Sequence, residues 1–221
     1  MAKVERSQLE SRWRDLCGAA DLSAGDVAEA GRWLLDAYGV STRAYHNLDH
    51  LAHCLAEFDG ARGHAAEPVT AELAIWFHDS VYDPSRGDNE ERSSEWARGV
   101  LAYLGASPGQ IAAVQVMVLA TKHTDEAAKA DGPQVTDSPL VEDIDLAILG
   151  QAPEVFDAYE RAIREEYRHV PDEGFRAARL GVLNRFLDRP RIYLTLPFRA
   201  RYETRARENL RRSVGRLTPV G

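Results

Sequence analysis

Cysteine is scarce in this chain: Cys17 and Cys54 are the only two among 221 residues. They form no CxxC pair and no disulfide framework, which argues against a stapled secreted fold and fits a reducing cytoplasm. Long hydrophobic runs are missing as well. The longest, Ile111 to Ala120, is interrupted by Gln115 and is too short to span a bilayer. The opening segment, MAKVERSQLE, is polar and has no apolar stretch of the kind a signal peptide needs. No segment alternates apolar and polar residues over a strand's length, and there is no fixed-period repeat or low-complexity tract. Positive charge is in deficit, with a formal net charge of −8. Neither nucleic acid nor an anionic membrane is therefore an expected partner, because both need a basic surface. The deficit is uneven. Residues 185–216 hold ten Arg, no Lys and three acids, a net +7 that leaves −15 for the rest. That segment reads either as a place to meet a phosphorylated ligand or as a solvated helix laced with i,i+4 ion pairs.

Apolar side chains recur at three- and four-residue spacing almost everywhere. With 44% hydrophobic and 28% charged residues, the chain can bury one sizeable core. The reading is all-α, about ten helices in one domain over 1–221. Helices are expected at Leu9 to Ala19, from a Ser23 cap to Tyr38 with Gly39 as stop, and from near Tyr45 through His46, His50 and Leu51. A further one runs from Val69 to His78-Asp79. Others follow at Glu90–Leu104, Pro108–Thr121, Val141–Leu149, Pro153–His169, Asp172–Leu187 and Phe198–Val214. Pro108, Pro153 and Pro171 stand where helices begin. Gly63 to Pro68, Tyr82 to Asn89 and Ala127 to Asp137 read as loops. Trp13, Trp33, Trp76 and Trp96 are expected in the core, and His64 and His169 at the surface.

Three short pieces carry chemistry. In YHNLDHL, His46 and His50 are four apart, so on one helix they share a face. His53 and Cys54 follow as packing or surface residues. In AIWFHDS, an apolar helix delivers His78 and Asp79 at its C-terminal end. A carboxylate beside an imidazole there either faces water or, if buried, needs a partner or a metal. In VEDIDLAILG, Asp143 and Asp145 are two apart and cannot share a helix face. Asp145 directly heads the apolar run and is the expected ligand. Asp143 would then cap a helix or hold a ligand in place.

Taken in order, these pieces read H…HD…D on helices. The chain resembles the HD superfamily of metal-dependent phosphohydrolases, most closely its small single-domain bacterial branch of predicted metal-dependent hydrolases. The matching stretches are RAYHNLDHL (43–51), AIWFHDSVYD (74–83), DNEERSSEWA (88–97), ATKHT (120–124), DIDLAILG (143–150) and the tail from RFLDRPRIY (185–193) to RARENL (205–210). The resemblance implies an HD-type helical bundle in which His50, His78, Asp79 and Asp145 hold a divalent metal, with Asp79 able to bridge to a second ion. The YHN-x-x-H piece is also similar to the cyclic-nucleotide phosphodiesterases, where the residue matching His46 protonates the leaving oxygen. A counterpart of their nucleotide-clamping glutamine is not identifiable, and the extra histidine pair of the cyclic di-guanylate branch is missing. Substrate does not transfer from either group.

Imidazole and carboxylate together suit Mn, Fe, Co, Ni or Zn without selecting among them, as one ion or two. No cysteine is expected at the site, so a structural zinc cage is not. The expected function is hydrolysis of a small phosphoester, a nucleotide among the candidates, by a metal-activated water, with His46 and His123 as catalytic residues. Two other readings stand beside it: a mixed-valent di-iron oxygenase using His46 and His123 as extra ligands, and a non-catalytic sensor of metal and nucleotide. The expected partner is a small phosphorylated substrate, and a homodimer is left open. Arg43, Lys122, Glu90 and Glu91 are secondary candidates for phosphate binding or proton transfer, and no role is assigned to Tyr193 or Asn209.

Overall fold

The computed structural model describes residues 5–123 and 137–218. Every regular element among them is helical, as the apolar spacing requires. Ten α-helices follow in order: α1 (Arg6–Ala19), α2 (Val27–Tyr38), α3 (Leu48–Ala61), α4 (Pro68–Phe77), α5 (Asn89–Tyr103), α6 (Pro108–Ala120), α7 (Ser138–Asp145), α8 (Pro153–Glu166), α9 (Asp172–Asp188) and α10 (Leu196–Leu217). Short 3-10 segments cover Arg62–His64 and Leu146–Gly150, the first lying in a stretch expected to be loop. The contacts divide into two compact units, Met1–Glu142 and Asp143–Gly221. The loop expected at 127–137 lies outside the described residues except for Asp137.

The first unit is built on α4, whose ten residues PVTAELAIWF are apolar almost throughout. It packs against α1, α3, α5 and α6. Trp13 of α1 meets Trp76 and Phe77 of α4 edge-on, with ring centroids 5.3 and 6.0 Å away. Burying each such ring contributes about 1.5–3 kcal/mol. Trp13 also lies against Gly31 of α2, where a Cβ would come within 2.6 Å of its ring. Two tryptophans depart from expectation. Trp96 is half-buried against Phe77, and Trp33 is 39% exposed beside Tyr103. His64 and His169 are exposed.

The second unit gives the unassigned tail residues structural work. The Tyr193 hydroxyl donates to the Leu146 carbonyl, and Asn209 Nδ2 donates to the carbonyls of Leu149 and Gln151. Together they satisfy the backbone of the 3-10 segment, whose carbonyls lack α-helical partners. Gly150 is required there, since a Cβ would fall 2.5 Å from Tyr202. Three arginines of α10 form ion pairs. Arg207 bonds Glu203 one turn away, and Arg212 and Arg216 reach Asp157 of α8.

Two helix starts differ from the sequence reading. α2 is capped by Asp26, whose carboxylate accepts the Glu29 N–H at 2.9 Å, and not by Ser23. α3 begins at Leu48 because the Asn47 side chain accepts the N–H groups of Asp49 and His50, at 2.9 and 3.3 Å. His46 therefore lies before the helix and does not share its face with His50.

Candidate metal centre

Two helix termini of the first unit build the centre. Asn47 sets the first turn of α3 and so fixes His50 as its third residue, 3% exposed. α4 ends at Phe77, His78 caps it, and Asp79 stands in the turn beyond. That turn is held from several sides. The buried Tyr38 hydroxyl donates to the Trp76 carbonyl at 3.3 Å and accepts the Asp79 N–H at 3.2 Å. Its pKa is pushed up to about 12, by burial first, so it stays a neutral phenol. The Arg43 guanidinium, 9% exposed, donates to the carbonyls of His46, Asp79 and Ser80. Expected as a phosphate candidate, Arg43 ties the segment before α3 to the turn after α4. Asn89 and Ser93 of the DNEERSSEWA stretch bond the backbone of Asp83 and Val81 and so pin the loop that follows.

The imidazoles meet nitrogen to nitrogen. His78 Nδ1 lies 2.8 Å from the Ile75 carbonyl, which only accepts, so Nδ1 carries the proton and Nε2 presents a lone pair. That Nε2 is 2.9 Å from His50 Nε2. Asp79 Oδ2 is 3.2 Å from His78 Nε2 and 3.3 Å from His50 Nε2. Two ring nitrogens and a carboxylate oxygen thus form a triangle. Ligands held about 2.1 Å from a shared ion at right angles stand about 3 Å from one another, which is the edge length of this triangle. Burial would raise the Asp79 carboxyl, but the charges of His78 and His46 and hydrogen bonds from His50 and His78, all supplied when those rings are protonated, outweigh it. The carboxyl is held well below the usual range and so is available as an anion. The end of α4 adds the negative pole of its dipole, which favours a cation there.

Among the described residues of the first unit, one ligand atom from each of His50, Cys54 and His78 lies within 4.8 Å of the other two, in buried surroundings. This group can hold a metal ion. Cys54 was not expected in it. It follows His50 by one turn of α3, so the four-residue spacing was a readable signal that the packing assignment passed over. Asp145 is the last residue of α7. Asp143, fully buried, accepts the N–H groups of Leu194 and Thr195 and the Thr195 hydroxyl at 2.6–2.7 Å, so it organises the start of α10.

No family model, curated protein or solved structure matches this chain. The assignment therefore rests on geometry. His46 stacks on Tyr82 at 4.0 Å between ring centroids, with its own centroid 5.7 Å from that of His50, and its charge is felt at Asp79. His123 is not one of the grouped residues. It adopts a left-handed backbone (φ 53°), and its Nδ1 lies 3.8 Å from Glu142 Oε2. Lys122 pairs with Glu91. Burial, and to a lesser degree the Asp79 charge, push the Glu90 carboxyl up, which sets Glu90 within electrostatic reach of the centre. No described helix is long and apolar enough to cross a membrane.

Proposed function

We propose that this chain is an HD-type metal-dependent phosphohydrolase of the cytoplasm, acting on a small phosphoester with a nucleotide as one candidate. The observation that carries the reading is the triangle of His50 Nε2, His78 Nε2 and Asp79 Oδ2, built by residues in the order H…HD. His50, His78, Asp79 and Asp145 would hold the ion, with Mn, Fe, Co, Ni and Zn all compatible with imidazole and carboxylate donors. A divalent ion would supply charge neutralisation at the phosphoryl oxygens and acidify the attacking water.

The chain's own groups supply the rest. Ile75 fixes the His78 tautomer through Nδ1, leaving Nε2 as a donor. Arg43 and Tyr38 hold the Asp79 backbone, so the carboxylate is positioned before any ligand arrives. His46, stacked on Tyr82 beside the centre, hands a proton to the leaving oxygen. His123, further off beside Glu142, has the lesser claim to a proton-transfer role.

Purified protein, loaded in turn with Mn, Co and Ni, is to be screened against phosphate mono- and diesters. Phosphate or alcohol release that depends on metal and is lost in His78→Ala is expected. His46→Ala should slow esters with poor leaving groups far more than those with good ones. Folded, metal-loaded protein that releases nothing from either class would sink the reading.

A further inference from the structure

We propose that the second unit binds a small polyphosphate, inorganic or as the end of a larger molecule, in a cleft between α8, α9 and α10. The inference does not depend on the metal centre, and it takes up a basic surplus that phosphoester hydrolysis leaves unused. Residues 143–221 hold fifteen Arg, no Lys and twelve acids, so this unit is net positive in a chain whose formal charge is −8.

The cleft has a volume of about 380 Å³, within the range of small-molecule sites. α8 lines it with Asp157, Glu160, Arg161 and Arg164, and α9 with Asp172 and Arg176. These positions stand three or four apart, so each set shares one face of its helix. Arg216 lines it from α10.

The acids of the cleft are already answered. Asp157 Oδ1 lies 2.7 Å from Arg212 and 3.0 Å from Arg216, and Asp172 accepts from Arg164 at 2.7 Å. Glu160 accepts from Arg179 Nε at 3.1 Å and from the Ser213 hydroxyl at 2.6 Å. Four guanidiniums thus meet three carboxylates and leave one positive charge over. Arg161 and Arg176 raise the surplus to three. Both are exposed, and among the described residues neither guanidinium makes a hydrogen bond, ion pair or ring contact. Two like charges brought to one cleft by separate helices repel, and an anion that bridges them removes that cost.

The chemistry of the anion follows from the donors. A planar guanidinium takes two oxygens of one phosphoryl group in parallel. Two guanidiniums on separate helices match two linked phosphoryl groups. A surplus of three charges is also more than a carboxylate or a single phosphate, at about −1.5 to −2, neutralises.

Pyrophosphate, inorganic triphosphate and a nucleoside triphosphate are the probes. Each is titrated by calorimetry into full-length protein stripped of metal with a chelator, at constant ionic strength, with sulfate as the control anion. All three should bind wild type, and sulfate far more weakly. Tighter binding of the nucleoside triphosphate than of inorganic triphosphate would show that the cleft also reads the group attached to the phosphates. Arg161→Gln and Arg176→Gln should each weaken pyrophosphate binding by about tenfold. Arg211→Gln, an exposed arginine of α10 outside the cleft, should not, and His78→Ala should bind as wild type does. Wild type that binds no pyrophosphate, or sulfate as tightly as pyrophosphate, overturns the proposal. So does equal binding by wild type and both cleft variants, or loss of binding in His78→Ala. A protein that binds pyrophosphate here but takes no metal and releases no phosphate keeps this site and loses the hydrolase reading. The wild-type titrations decide even if a variant fails to fold.

Discussion

The two ends of α4 use carboxylates in opposite ways. At its start, Asp137 is 3% exposed and accepts the N–H groups of Ala66 and Glu67, at 2.8 and 2.7 Å, one oxygen to each. At its end, Asp79 turns Oδ2 toward two imidazole nitrogens. Asp137 is consumed by backbone groups that would otherwise be buried without an acceptor. Asp79 faces ring nitrogens, one of which presents a lone pair, so its charge is best answered by something that enters. A buried carboxylate thus declares its use through its neighbours. Donors mark a structural acid, and converging acceptors mark a cation site.

The comparison breaks first on metal. With free zinc at about 1,000 times its dissociation constant, binding to the native state alone should stabilise the wild type by about 4 kcal/mol. The denaturation midpoint measured with and without chelator reads this directly. Asp79→Ala should lose nearly all of the gain. An Asp79→Ala variant that gains as much as wild type would show that Asp79 takes no part.

Asp137→Ala should do the reverse. It leaves two backbone N–H groups without their acceptor, at about 1–3 kcal/mol each, so a loss of about 3 kcal/mol is expected with and without metal. Equal wild-type and variant midpoints in urea would mean that the ends of α4 are not used differently after all.

Much of this was legible in the sequence. The all-helical class followed from apolar spacing, and Pro108 and Pro153 do stand in the first turns of α6 and α8. The placing of His78-Asp79 just beyond an apolar helix could be read from AIWFHDS, as could the different fates of Asp143 and Asp145 two residues apart. Other features were hidden because they depend on a side chain meeting a distant backbone. Ser23 and Asp26 are both good caps, and only the bond to Glu29 N–H chooses between them. Arg43 resembles a phosphate ligand until its guanidinium is seen to donate to three carbonyls from two separate segments. Cys54 was passed over because a lone cysteine in a helix is usually packing. The spacing from His50 allowed its position without requiring it.

Asn47 sharpens the comparison at smaller cost. Asn47→Ala removes the cap of α3 and should cost about 1 kcal/mol in urea unfolding. Because His50 stands in the turn that frays, the variant should also bind cobalt more weakly than wild type, whereas removing the Asp26 cap of α2 should not. Equal weakening by Asn47→Ala and Asp26→Ala would mean that the cap of α3 has no special bearing on the centre.

The smallest effect belongs to the second unit, where a carboxylate is answered by arginine in place of imidazole. Hydrogen bonds from Arg216 and Arg212 hold Asp157 down at about 2, below its usual 3.8. A carboxyl lowered by folding stabilises the protein above its unfolded pKa, and that contribution is lost as pH falls through the folded value. Asp157→Asn should therefore be less stable than wild type by under about 1 kcal/mol at neutral pH, as exposed pairs generally are. The difference should shrink between about pH 4 and pH 2, and at high salt. Metal should leave it unchanged, because the arginines supply all the positive charge that Asp157 needs. Dependence on zinc at neutral pH would contradict the division between carboxylates already paired with arginine and one that awaits a cation.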